Sequence, residues 1–260
     1  MKSKLSSLIL APLALASAAN AALVTGPWIK GASSVAGAIT NANSASPTVG
    51  DGTTTNNGTS VYLFSSLTTI NLTNLGDKVT VTGSVSFVGS ASNQNQLRWG
   101  FFDSNGNTGT DDTGWLGYYA SHGNNTNFAV LGERDTVSPN GAYTSSTGAV
   151  NTLNSTAPGV TFAASPNFGP YSFSLSLEKV ATGLQINSSI SRVSDSQQYG
   201  LFNFIDTTPS ISAIDRVGLF SGSLSQEQTL FSNINVTFVP EPSTALLGAI
   251  GLLTLLRRRR

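Results

Sequence analysis

Five carboxylate or amide side chains fall within ten residues, Asp103, Asn105, Asn107, Asp111 and Asp112. Hard cations such as calcium take carboxylate and amide oxygens of this kind. Laid on the calcium-loop pattern, Asp103, Asn105 and Asn107 occupy the first three ligand places. Thr108 then stands where the sharp-turn glycine belongs, and Gly114 where a bidentate carboxylate would close the shell. The same residue types also build a polar hairpin turn, and the sequence leaves both readings open. Glu133 and Asp135 stand two apart and project to one face if a strand runs through both. A carboxylic acid opposed to a carboxylate is the chemistry that cleaves a glycosidic bond. Arg134 between them faces the other side, and a strand end entering a charged loop yields the same residues. His122, in Ser121-His122-Gly123-Asn124, would have to serve as the base of a nucleophilic triad. The chain has no Gly-x-Ser-x-Gly elbow, so a solvated loop histidine is the expected reading. Trp99, Trp115, Tyr118 and Tyr119 carry rings that stack on sugars when exposed and fill a core when buried.

Composition narrows this chemistry. The 260 residues contain no Cys, which excludes disulfides, thiol nucleophiles and Cys-ligated metals. A single His excludes His-rich metal sites. No cofactor is implied beyond calcium at the 103–112 loop. Charged residues are 10% of the chain, against about 25% in ordinary globular proteins. Six of the 13 basic residues are terminal, so residues 23–239 hold seven basic and twelve acidic side chains and a net charge near −5. Such a surface repels phosphate backbones and excludes nucleic acid as a partner.

The elements that must position these residues are strands. Val79, Val81, Val85 and Phe87 alternate with polar neighbours, as do Tyr171, Phe173, Leu175 and Leu177, and later Ile234, Val236 and Phe238. Alternation of this kind predicts antiparallel sheets with one wet face. Further strands are expected at 61–64, 97–102, 115–120, 128–133, 184–190, 199–204 and 217–221, with a hairpin at Ala181-Thr182-Gly183. Residues 32–60 and 138–165 are rich in Ser, Thr, Asn and Gly and read as long surface loops. About ten strands in a single unit predict an all-β, two-sheet antiparallel β-sandwich. The strand order resembles the jelly roll of concanavalin A-like and laminin G-like domains, above all at 97–102, 115–120 and the closing strand. That resemblance implies a carbohydrate-binding module as an alternative function, with Trp99, Trp115, Tyr118 and Tyr119 or calcium near the 103–112 loop. Glu133 and Asp135 resemble the catalytic strand of laminarinase-type glycoside hydrolases. Those enzymes carry a third acid soon after, where Thr136, Val137 and Ser138 stand here. The resemblance implies a hydrolase only as a distant alternative.

Both ends carry apolar segments. Lys2 and Lys4 precede an apolar run at 8–16, and Ala19 and Ala21 supply the small residues that a signal peptidase accepts. Residues 1–21 therefore read as a secretory signal cleaved after Ala21, with Ala16-Ser17-Ala18 as a second site. At the other end, residues 243–256 form a 14-residue segment, apolar after Ser243 and Thr244, before Arg257, Arg258, Arg259 and Arg260. As a helix this run spans about 21 Å, short for a hydrocarbon core of about 30 Å. The arginines would hold that end in the cytoplasm and leave the body on the far side. Pro240, Glu241, Pro242 and Ser243, the short apolar run and the terminal Arg cluster together resemble the PEP-CTERM sorting signal of Gram-negative bacteria. The resemblance implies recognition by a membrane exosortase, removal of the helix, and delivery to the cell surface or extracellular matrix. The expected organisation is a signal peptide at 1–21, a β-sandwich at 22–239 and a sorting signal at 240–260. The expected function is that of an exported structural protein without catalysis. Its expected partners are signal peptidase, exosortase, the inner membrane as precursor, and extracellular polysaccharide.

Overall fold

The computed structural model describes residues 20–22, 27–31, 38–50, 59–88, 96–110, 114–123, 129–135, 151–156, 168–224 and 228–241. The strands in chain order are β1 (Asn20–Ala22), β2 (Ile29–Lys30), β3 (Ile39–Thr40), β4 (Thr48–Val49), β5 (Thr59–Asn71), β6 (Lys78–Val88), β7 (Gln96–Asp103) and β8 (Leu116–Gly123). They continue as β9 (Ala129–Arg134), β10 (Asn151–Thr156), β11 (Phe168–Val180), β12 (Gly183–Arg192), β13 (Gln198–Asp206), β14 (Ala213–Leu224) and β15 (Gln228–Val239). Every pairing between them is antiparallel. One sheet, here sheet A, runs β13-β12-β11-β6-β15-β4-β3, with β1 also beside β15; sheet B runs β10-β9-β8-β7-β14-β5-β2. The two sheets form an all-β sandwich with no helix among the described residues.

The alternating runs place their apolar positions between the sheets. Val79, Val81, Val85 and Phe87 of β6 and Tyr171, Phe173, Leu175 and Leu177 of β11 are all buried in one cluster. They face Leu97, Trp99 and Phe101 of β7 and Val217 and Leu219 of β14. Trp99 ties the layers together: its ring lies 5.2 Å from Phe173, and its Nε1–H donates to the Ser174 carbonyl at 2.9 Å. At the centre of sheet A, Asn233 and Ile234 bulge opposite the single residue Gly83. A Cβ at Gly83 would come within 2.5 Å of Ile234 Cδ1 and 2.7 Å of Phe173 Cζ. The missing side chain is the space that the bulged strand fills.

Two features depart from the sequence reading. The outer face of sheet A is polar as expected, but that of sheet B is not wet throughout. Tyr62, Phe64, Phe102, Trp115, Tyr119 and Phe220 form a second buried cluster there. Trp115 sits edge-on to Phe64, and the Arg98 guanidinium lies 4.9 Å from the Phe220 ring centre. The 32–60 and 138–165 stretches are not loops throughout. Thr48 and Val49 are buried and pair with β15, and β10 pairs with β9 as the edge of sheet B. Both stretches contribute backbone to sheet edges, where pairing needs little side-chain alternation.

Candidate functional site

The Glu133–Asp135 pair of the distant hydrolase alternative does not form. β9 ends at Arg134, Asp135 is exposed beyond it, and Glu133 is 5% exposed on the inner face. Glu133 instead meets a carboxylate from the opposite sheet, that of Asp206 at the end of β13. The Tyr118 hydroxyl lies between them, 3.0 Å from Glu133 Oε1 and 2.6 Å from Asp206 Oδ2. Glu133 Oε1 also accepts the Ser210 N–H at 3.0 Å, and Asp206 Oδ1 accepts the Thr208 N–H at 2.9 Å. A phenol has one proton to donate, so bonding to both oxygens requires a second proton, carried by one of the carboxyls. Burial pushes the Glu133 carboxyl above its usual range, and the charge of Asp206 adds to this, against hydrogen bonds from Ser210 and Tyr118 that work to lower it. The surroundings of Glu133 thus favour its protonated form, and burial also pushes the Tyr118 phenol up. With Tyr118 at 0% and Asp206 at 5% exposure, the group is a buried crosslink between sheets and offers no cleft to a sugar. Sequence reasoning missed Asp206 and Ser210 because only the topology brings them to β9.

His122 is not a loop residue. It lies within β8 on the inner face, buried, with its ring edge-on to Tyr199 at 5.7 Å between centres. Burial pushes the imidazole down to about 4, so it is neutral at physiological pH. The sugar-stacking reading of the aromatic residues is corrected in the same way. Trp99 and Tyr118 fill the main core, Trp115 and Tyr119 the outer cluster of sheet B, and none exceeds 1% exposure. Consecutive aromatic residues in β8 therefore serve two cores, one on each face of the sheet.

The 103–112 loop behaves as a turn in its described part. Asn105 and Gly106 both have positive φ (51° and 80°), and the Asn107 N–H closes the turn on the Ser104 carbonyl at 2.9 Å. This is the primed turn for which Asn-Gly is the favoured dipeptide. Asp103 Oδ1 accepts the Asn105 N–H, and Asn107 Oδ1 accepts the Gly109 N–H, each at 2.8 Å. Ser104 anchors the loop to Asp215 of β14 through its N–H at 2.8 Å and its hydroxyl at 2.5 Å. Asp103 and Asn107, two of the five side chains proposed as cation ligands, are thus engaged with the loop's own backbone. No cluster of three His, Cys, Asp or Glu suited to a metal occurs among the described residues. Asp111 and Asp112 lie outside them.

The accessible surface with a built pattern is the outer face of sheet A. Across it, register aligns Thr82, Ser174, Ser189 and Leu201 in one row and Thr80, Ser176, Asn187 and Asn203 in the next. Strands stand about 4.8 Å apart and side chains on one face repeat about every 6.8 Å, so the hydroxyls form a regular lattice. The Ser174 and Ser189 hydroxyls are 2.8 Å apart. Two adjoining depressions of about 370 and 410 Å³ share Ser174 and Ser189 in their lining. Leu201 (62% exposed) and Ile205 (45%) edge this face on β13.

At the C-terminus, β15 ends at Val239 and is followed directly by Pro240 and Glu241, both partly buried. Ala21 falls within β1, which pairs with the end of β15 through Ala21↔Thr237. Ala19, Pro242, Ser243, the apolar run and the four terminal arginines lie outside the described residues.

Residues 238–260 match the PEP-CTERM protein-sorting motif. No curated protein matches the chain. Among solved structures, the chain is similar to the metal-free carbohydrate recognition domain of Emp46p, at 11% identity and a TM-score of 0.50, over 82% of this chain and 87% of that one. It is also similar to arcelin-5, a lectin-like defence protein from Phaseolus vulgaris, at 9% identity and a TM-score of 0.48, over 82% and 92% of the two chains. Peanut lectin gives 8% identity and a TM-score of 0.45, over 82% and 91%. At such identities the likeness concerns the fold alone. The chain therefore carries a PEP-CTERM sorting motif at 238–260 behind a two-sheet antiparallel sandwich whose fold is similar to that of the Emp46p carbohydrate recognition domain.

Proposed function

We propose that this is an exported structural protein without catalysis, delivered to the cell surface or extracellular matrix of a Gram-negative bacterium. Its N-terminal segment engages signal peptidase, and its C-terminal segment holds the precursor at the inner membrane until an exosortase acts. The carrying observation is the junction at residue 239. The last residue of β15 precedes Pro240 directly, and the PEP-CTERM sorting motif matches residues 238–260. The test is fractionation of cells making Pro240→Ala/Pro242→Ala protein. Precursor should accumulate in the inner-membrane fraction, and normal release of a shortened body would end this reading.

A second reading, binding of extracellular polysaccharide, is favoured by the outer face of sheet A. Its hydroxyl and amide lattice is uncharged in the two rows described above, which suits a neutral polymer that offers hydroxyls in return. The aromatic residues and the 103–107 turn give this reading no support, because their rings and oxygens are engaged internally. A Ser174→Lys/Thr82→Lys variant separates the readings by retention on neutral polysaccharide gels. The wild type should be retarded and the variant should not. Equal migration of both with and without polysaccharide would dismiss the second reading.

A further inference from the structure

The backbone between Pro240 and Pro242 has one hydrogen-bond donor, the N–H of Glu241, because proline has none. That N–H is donated to Oδ1 of Asp77 at 3.0 Å, across 164 residues of chain. Asp77 closes the turn between β5 and β6 and is 1% exposed. Its other oxygen, Oδ2, accepts the Thr73 N–H at 3.0 Å, the Asn74 N–H at 2.7 Å and the Asn74 Nδ2 at 3.2 Å. The carboxylate is thus divided, with Oδ2 capping the turn and Oδ1 given to the sorting motif.

The turn that carries Asp77 is itself fixed. The Gly76 N–H donates to the Lys179 carbonyl at 2.8 Å, and the Lys179 N–H to the Asp77 carbonyl at 2.9 Å. Gly76 has φ +94°, and a Cβ there would lie 3.6 Å from Cγ and 3.8 Å from Cβ of Glu241. The glutamate stem therefore rests on the turn beside the hydrogen bond. Burial works to raise the Asp77 carboxyl, but the N–H groups of Glu241, Asn74 and Thr73 outweigh it and hold the group below its usual value. The bond to Glu241 is accordingly charge-assisted, the stronger class of hydrogen bond.

We propose that Asp77 is an intramolecular receptor for the sorting motif, holding the Pro240–Glu241 peptide on the sandwich so that an exosortase must draw it off before cleavage. This rests on the sorting reading given above. An enzyme that takes an extended peptide pairs with its main-chain groups, and the one donor between the two prolines is already occupied by Asp77. The undocked fraction of precursor then scales the rate of processing.

Asp77→Asn tests this directly. Its amide has one oxygen, which the three donors of the turn claim, so its NH2 group turns toward the Glu241 N–H and donor faces donor. Full-length precursor in detergent micelles is followed by hydrogen exchange, where the only amide of residues 240–242 is that of Glu241. In parallel, processing is timed by pulse-chase in cells. Exchange at Glu241 should rise about tenfold and cleavage should quicken about tenfold, the scale of one hydrogen bond to a charged group. Exchange across β6 and β15 should stay unchanged. Unchanged exchange at Glu241, or a freed motif cleaved no faster, would overturn the proposal. Asp77→Ser, whose hydroxyl can cap the turn but is too short for Glu241, repeats both readouts if Asp77→Asn does not fold. Pro240→Ala/Pro242→Ala precursor is the companion arm. Normal cleavage of it refutes the sorting reading itself, whereas blocked cleavage with an unaccelerated Asp77→Asn refutes the docking alone.

Discussion

Tyr118 bridges two buried carboxyl groups, and removing its hydroxyl should be costly in a way that neutralising Glu133 is not. In Tyr118→Phe, the Glu133 and Asp206 oxygens lose the donor and acceptor that stood 3.0 and 2.6 Å from them. Both remain buried, where water does not replace the lost partner. A hydrogen bond to a charged group is worth about 1.5–3 kcal/mol, so Tyr118→Phe should destabilise by about that amount. For a domain of this size, one kcal/mol shifts Tm by roughly 2–4 °C, so a loss of about 3–12 °C is expected. Glu133→Gln should behave differently. With its amide oxygen in the Oε1 place it still accepts the Ser210 N–H and the Tyr118 O–H, so one bond of the bridge is lost instead of both. It should therefore stay within about 1 kcal/mol of wild type near neutral pH. The pH profile provides the sign. A carboxyl held above its ordinary value of 4.5 in the folded state contributes stability that is complete below that value. The contribution is lost as pH rises through the folded value, because the unfolded chain ionises first. Wild-type stability should decline over that interval, and Glu133→Gln should lack this part of the decline. The assay is thermal unfolding of the exported protein by near-ultraviolet circular dichroism across pH. Equal losses in Tyr118→Phe and Glu133→Gln, or an unaltered pH profile in Glu133→Gln, would refute this account of the bridge.

Gly83→Ala should cost about 1–3 kcal/mol, read as a lower Tm, since its Cβ would strike Ile234 and Phe173 within 2.7 Å. Trp99→Phe should cost about 2 kcal/mol from lost volume and one hydrogen bond; urea denaturation should show it, softened because Ser188 Oγ still donates to the Ser174 carbonyl at 2.8 Å. Chelator should leave Tm unchanged, because Asp103 and Asn107 already serve the loop backbone; a clear fall in Tm would restore a cation to the 103–112 loop.

The long strands were legible because one face is buried and the other is not. Val79 to Phe87, broken only at Gly83, and Tyr171 to Leu177 show that alternation, and β6 and β11 occupy those positions. The second aromatic cluster left a trace that alternation alone does not capture. Tyr62-Leu63-Phe64, Phe101-Phe102 and Tyr118-Tyr119 are consecutive apolar positions, the pattern of a strand covered on both faces. The same trace marks Tyr118 and Tyr119 as core residues and removes them from a sugar platform. β3, β4 and β10 were not legible. Two-residue strands carry no period, and Asn151-Thr152-Leu153-Asn154-Ser155-Thr156 offers one apolar side chain for pairing that rests on backbone bonds. His122 looked like a loop residue because Gly123 and Asn124 follow it, yet β8 runs through it. The Tyr118–Glu133–Asp206 crosslink and the Asp77–Glu241 contact join residues far apart in sequence. Spacing along the chain cannot report such pairs; only the order of strands within the two sheets brings them together.

The decisive measurement is the intact mass of the protein recovered from each cell fraction of its native host. Export through both ends should give a shortened polypeptide outside the inner membrane, beginning at Ala22 and lacking the arginine-terminated apolar segment. A polypeptide of all 260 residues, untrimmed and soluble in the cytosol, would contradict it.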